Sequence, residues 1–152
     1  MNRVVVDTNI VFSTFLNANS RIGQIILNGG KYYDFYAPAY IRVELMEHKD
    51  RIKDIGKLGE NAFVELFELI VRNVHVLNHS IVPTEYYVKA LKLCEGIDIE
   101  DTAFVAVTDY VRGRLWTGDK ALINGLTEKG YNRLLLTGEL YQDFLIKNKG
   151  SK

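Results

Sequence analysis

The chain has 152 residues, 47% of them hydrophobic and 25% charged, the balance of a soluble globular domain long enough to bury a substantial core. Its 19 basic and 19 acidic side chains cancel, so net charge gives no argument for a nucleic-acid partner. No apolar run approaches the ~20 residues that cross a bilayer and the N-terminus lacks a signal-peptide pattern, so a cytoplasmic protein without a membrane segment is expected. The single cysteine, Cys94, excludes an intrachain disulfide and a multi-cysteine zinc site.

Short β-branched runs alternate with amphipathic helical stretches, the pattern of an α/β domain with a mostly parallel sheet. "RVVV" (3–6) reads as a first, fully buried strand and "IVFSTFLN" as the helix after it. Ser20 is placed to cap "RIGQIILN", with Gly29 and Gly30 as the stop. "YDFYA" (33–37) reads as a second strand, and Pro38 suits the first turn of the helix "AYIRVELMEHK". Residues 50–73 are the least sheet-like: a polar, glycine-punctuated stretch, then "ENAFVELFELIVRN" with Phe63, Leu66, Phe67 and Ile70 at helical spacing. "VHVL" (74–77) is a short strand, followed by the helices "TEYYVKALKLCEG" and "IEDTAFVAVTDYVRG". In the first of these Cys94 falls in step with Tyr87 and Leu91, as a packed core thiol would. "RLWT" (114–117) and "RLLLT" read as strands on either side of the helix "KALINGLTEKG", and "ELYQDFLIKN" closes the chain. The expected organisation is one domain over 1–148 with a frayed tail at 149–152.

In open parallel sheets, ligands bind beyond the carboxyl ends of the strands, where strand order reverses. Asp7 directly follows the first strand, and Asp119 comes two residues after Thr117 at the end of "RLWT". Two strands thus deliver carboxylates to the same edge of the sheet. Asp98 and Asp101 stand three apart at the start of the "IEDTAFVAV" helix, on one helical face. For Asp98, helix capping, worth ~0.3–1 kcal/mol, competes evenly with a role in the site. Asp101 leads into the apolar side of its helix, which favours the site. Glu44 lies beside an apolar helical stripe, where it serves either as a rim residue or as a further member of the cluster.

Two like charges ~4 Å apart repel by ~4 kcal/mol at an effective dielectric near 20, so clustered acids need compensation. A hard divalent cation with a preference for oxygen, Mg²⁺ or Mn²⁺, provides it, and such ions support in-line phosphoryl displacement. His48 shares a face with Glu44, but no second histidine stands at zinc-ligand spacing, and His75 and His79 fall elsewhere. With five acids committed to a metal site, 19 basic side chains face 14 remaining acids, a surplus that permits a polyanionic substrate. Arg21, Arg42, Lys49, Arg112, Arg114 and Lys120 are candidates to line its path.

These residues carry a resemblance. "VVVDTNIVFSTFL" resembles the opening motif of the PIN-domain nucleases, "IRVELMEH" their acidic helix, and "DIEDTAFVAVTDYVRGRLWTGDKAL" their closing pair of acidic motifs. All occur in the family's order across nearly the whole chain. The resemblance implies a three-layer α/β/α domain in which Asp7, Glu44, Asp101 and Asp119 bind metal, with Asp98 as the extra acid some members carry. It implies that Asn9 and Thr117 support those acids by hydrogen bonds, and that Thr8 sits in the motif as much for its turn as for chemistry. It further implies an endoribonuclease using Mg²⁺ or Mn²⁺, often the toxin of a VapBC-type toxin–antitoxin pair, dimeric and with an antitoxin peptide in its groove. In family terms "DRIKDIGKLGENAFVELFELIV" corresponds to a helical clip that partners grasp, or else to a helix covering the core. RNA-processing members without an antitoxin share the same motifs, and a degenerate RNA- or protein-binding module is the non-enzymatic alternative. "VVVDTN" also resembles the start of haloacid-dehalogenase-type phosphatases, but that family places a second aspartate where this chain has Asn9.

Overall fold

The structure, a computed structural model, describes residues 2–150. Five strands form an all-parallel sheet in the order β3-β2-β1-β4-β5: β1 (Arg3–Val6), β2 (Asp34–Pro38), β3 (Val74–Leu77), β4 (Arg114–Trp116) and β5 (Leu134–Leu135). Val4, Val5 and Val6 of β1 are all buried, because helices cover both faces of the sheet; this is why the strand reads as a continuous apolar run. Chain order runs outward from β1 to β3, then returns to the other side of β1 for β4 and β5. The order therefore reverses between β1 and β4, which opens a crevice at their carboxyl ends.

Among the described residues nine α-helices flank the sheet. One group comprises α1 (Thr8–Leu16), α2 (Arg21–Asn28), α3 (Tyr40–Glu47), α4 (Lys49–Ile55), α5 (Glu60–Asn73) and α9 (Thr137–Gly150), with α1 packed on α2 to α5, and α2 on α9. The other comprises α6 (Thr84–Cys94), α7 (Thr102–Val111) and α8 (Lys120–Glu128), with α7 packed against β1, β2 and β4. The sheet is thus the middle layer of an α/β/α domain. No described helix is long and apolar enough to cross a membrane.

Ser20 caps α2 by accepting the Gly23 N–H at 3.1 Å, as its position predicts. Pro38 does not open a helix. It ends β2, paired with Leu77, where the ladder tolerates its missing N–H; Ala39 N–H continues the ladder to the Leu77 carbonyl at 2.8 Å, and the helix starts only at Tyr40. Strand β5 shrinks to two residues because Thr137 starts α9 and its hydroxyl accepts from Trp116 Nε1 at 3.0 Å. The polar stretch after His48 forms α4, which turns Ile52 inward, and α5 buries Phe63 and Ile70. Phe63 stacks on Phe15 at 5.0 Å, so this segment covers the core. Cys94 is buried beside Ala90, one turn earlier, while Leu91 faces solvent. Helix α9 includes Lys149 and Gly150; residues 151 and 152 of the expected tail lie outside the described residues.

Candidate acidic cleft

Asp7 leaves β1 and caps α1, so the strand-to-helix turn fixes its direction. One carboxylate oxygen accepts the Thr8 N–H at 2.8 Å and the other the Thr117 hydroxyl at 2.7 Å, from the end of β4. The Thr117 oxygen in turn accepts from Asp119 N–H at 3.1 Å and from the Asn9 amide at 3.4 Å, while Asn9 Oδ1 accepts the Gly118 N–H at 3.3 Å. Asn9 and Thr117 thus lace the start of α1 to the end of β4. Asp119 caps α8 through the Leu122 N–H at 3.2 Å. Glu44, on α3, accepts the Thr8 hydroxyl at 2.8 Å. Asp101 ends the 3-10 turn that leads into α7, and its Oδ2 is buried without a hydrogen-bond partner. Among the described residues only Asp109 has another such oxygen.

Asp7, Glu44, Asp101 and Asp119 line one open cleft of about 320 Å³. Residues from β1, α3, the turn before α7 and the end of β4 are brought together because all four segments end or begin at the carboxyl edge of the sheet. Asp98 does not line the cleft. It is exposed and caps the 3-10 turn by accepting the Glu100 N–H at 3.0 Å. Thr8, which the motif placed there for turn or for chemistry, lines it too, and sequence reasoning passed over two further residues that do, Phe12 and Arg51. Arg51 lies over the Phe12 ring at 5.7 Å. Its only sequence signal is the three-residue spacing from His48, which also lines the cleft. Of the basic candidates, Lys49 is paired with Glu60, Arg114 with Glu139, and Arg21 lies over Tyr141.

The acids disfavour one another's charge. Burial pushes the Asp7 carboxyl up, opposed by its hydrogen bonds to Thr117 and Thr8 and reinforced by Asp119 and Asp98. Burial also raises Glu44, with the Thr8 hydrogen bond acting against it. Asp101 is pushed up to about 7, first by burial and then by the charges of Asp7, Asp98, Asp119 and Glu44. Among the described residues, no three Asp, Glu, His or Cys side chains converge tightly enough to hold an ion as they stand. The hydrogen bonds explain the spread: Asp7, Glu44 and Asp119 are each drawn toward scaffold donors, and mutual repulsion opposes closer approach.

An α/β/α domain with an all-parallel sheet and acids at its switch point is the class these features define. The family model of the PIN domain matches residues 5–138, most of the length, and the chain belongs to this family of nucleases. A search of curated proteins finds no match.

Proposed function

We propose that this protein is a Mg²⁺- or Mn²⁺-dependent endoribonuclease whose acidic cleft hydrolyses RNA phosphodiester bonds. The observation that carries the reading is the opening of four carboxylates, including the partnerless Asp101 Oδ2, into one cleft of a nuclease-family domain. The donor set suits the ion: it is all oxygen, carries excess negative charge and has one buried oxygen without a hydrogen-bond partner. Asp7, Glu44, Asp101 and Asp119 would hold the metal, and Asp98, as an exposed cap, would act through its charge alone. When bound, a divalent cation neutralises the acids and supplies Lewis-acid activation of water and of the leaving oxygen.

The chain's own residues set the geometry. Thr117 and the Thr8 N–H fix both oxygens of Asp7, and the Thr8 hydroxyl fixes Glu44. Asp7 and Asp119 would orient the attacking water, and the products would carry a 5′-phosphate and a 3′-hydroxyl. Arg51 and His48 stand at the rim, where the Arg51 charge attracts the RNA backbone. In the toxin reading, an antitoxin would cover the cleft, and the exposed apolar Val43 and Met46 beside Glu44 offer it a landing surface; a homodimer belongs to the same reading. The test is incubation of the protein with end-labelled single-stranded RNA, with and without Mn²⁺. Cleavage that requires Mn²⁺ and stops with EDTA is expected; intact RNA at micromolar enzyme would refute the proposal.

Thr8→Val separates orientation from charge. It keeps the side-chain volume but frees Glu44 Oε1, a hydrogen bond to a charged group worth about 1–2 kcal/mol at this half-exposed position. The expected result is a loss of roughly 5–30-fold in cleavage rate. The acid limb of the pH–rate profile should also move to higher pH, since the Thr8 bond holds the Glu44 carboxyl down. A rate and profile equal to wild type would remove Thr8 from the positioning of Glu44.

A further inference from the structure

The acids crowd the carboxyl edge of the sheet, and the opposite edge carries arginines. Arg3, Arg112, Arg114 and Arg133, with Asn2 and Gly113, line a second open pocket of about 390 Å³. The strand order explains the cluster: β1, β4 and β5 are neighbours, so residues at their amino ends come side by side, and α7 ends at the same edge. The compensation is incomplete. Glu139 pairs with Arg114 through two contacts of 3.1 and 2.9 Å, and Asp109 stands 3.9 Å from Arg133 Nε. Arg3 donates to the Val111 carbonyl at 3.0 Å and Arg133 to the Gly113 carbonyl at 3.3 Å, which orients the guanidinium groups without neutralising them. The Arg112 side chain makes no hydrogen bond or ion pair among the described residues, while its backbone N–H donates to the Asp109 carbonyl at 3.2 Å.

The backbone adds an independent observation. Arg112 ends α7 in the left-handed region, at φ 56° and ψ 42°, where an L-residue is strained and glycine is not. The adjacent Gly113 is required by packing, because a Cβ there would stand 2.6 Å from the Arg3 carbonyl oxygen. The left-handed helix end therefore carries an arginine, rather than the glycine that favours it, at the mouth of the pocket.

We propose that this pocket is a second nucleic-acid contact, a phosphate-binding site for the RNA backbone away from the scissile bond. The proposal rests on the ribonuclease reading and adds a substrate requirement to it. Guanidinium forks match phosphate oxygens, and an open, polar pocket admits a passing chain. The four residues of β1, at ~3.3 Å each, separate the two edges by at least about 13 Å. An RNA of a few nucleotides reaches one edge only, and a longer one reaches both.

Binding of fluorescein-labelled RNAs of three and fifteen nucleotides, measured by anisotropy in EDTA, tests this with Arg112→Gly and Arg3→Gln. For the 15-mer, affinity should fall about 5–10-fold in each variant, with a log affinity–log salt slope shallower by about 0.7 per lost contact. The 3-mer, which reaches one edge only, should bind wild type more weakly than the 15-mer does. Arg112→Gly should also melt about 2–4 °C higher, which excludes unfolding as the cause of weaker binding. Equal 15-mer affinity and slope in wild type and both variants would overturn the proposal. So would variants that weaken tripolyphosphate binding and leave RNA binding intact, since the pocket would then serve a small anion. Failure of the ribonuclease reading is seen separately, as wild type that binds the 15-mer but never cleaves it with Mn²⁺.

Discussion

Asp101→Asn is expected to lower Mn²⁺-dependent RNA cleavage by about 10²–10³-fold while making the metal-free protein more stable above neutral pH. The two effects share one cause. Asp101 sits among four other acids with a buried oxygen that has no partner, so its charge costs the fold, and in the proposed mechanism a bound cation would offset that cost. The folded-state carboxyl titrates near 7 rather than near 3.8, so the protonated form is the one the fold favours. Its contribution to stability is therefore complete below about pH 4 and is lost as pH rises through about 7. Screening at the open side of the cleft reduces the nominal shift to a loss on the order of 2 kcal/mol. Thermal melts in EDTA at pH 5 and pH 8 should show wild type falling more than the variant. Saturating Mn²⁺, at about a hundred times its dissociation constant, should restore about 2.7 kcal/mol to wild type at pH 8 and much less to the variant. Full cleavage activity in Asp101→Asn would take this residue out of the mechanism, and a parallel pH dependence in both proteins would show that its charge is not strained.

Trp116→Ala should cost about 3–5 kcal/mol of stability. Trp116 is fully buried in β4, packs its ring 6.3 Å from that of Phe35, and donates its indole N–H to Thr137 at 3.0 Å. Its carbonyl also accepts the Asp7 N–H at 3.1 Å, which carries the β1–β4 ladder one residue into the cleft. Truncation leaves a cavity beneath the site and removes the donor of the Thr137 hydroxyl, so β4 would hold Thr117 and Asp119 less firmly. Urea unfolding followed by far-UV circular dichroism measures the loss. A cost under about 1.5 kcal/mol would mean that neighbouring side chains refill the space. Cleavage by the folded fraction should fall as well, because Thr117 orients Asp7.

Much of this was legible in the sequence because the signals are local. Three valines followed by Asp7 specify a buried strand that hands an acid to a helix N-terminus. Ser20 marks a cap, and the spacing of Phe63 and Ile70 marks a helix face. The order of the acidic motifs also pointed to Asp7, Glu44, Asp101 and Asp119 as one set, and these four do open into one cleft. Asp98 was ambiguous because capping and clustering need the same residue type at the same helix end; it caps the 3-10 turn through a 3.0 Å bond to Glu100 N–H and, unlike Asp7 and Asp119, which also cap helices, does not line the cleft.

Hydrophobic period and cap chemistry belong to a few neighbouring residues, so the chain by itself determined where most strands and helices lie and which acids follow the strands. Strand order and register belong to pairings between residues some 19 to 110 positions apart, and these only the tertiary structure decided. That pairing put Thr117 on Asp7, brought Arg51 to the rim, shortened β5 and gathered four arginines from separate segments at the edge opposite the acids. The physical reason is that a parallel sheet sends all its strand beginnings to one side and all its strand ends to the other. A chain with no net charge can thereby separate its positive and negative groups in space, although their order along the sequence shows no such division.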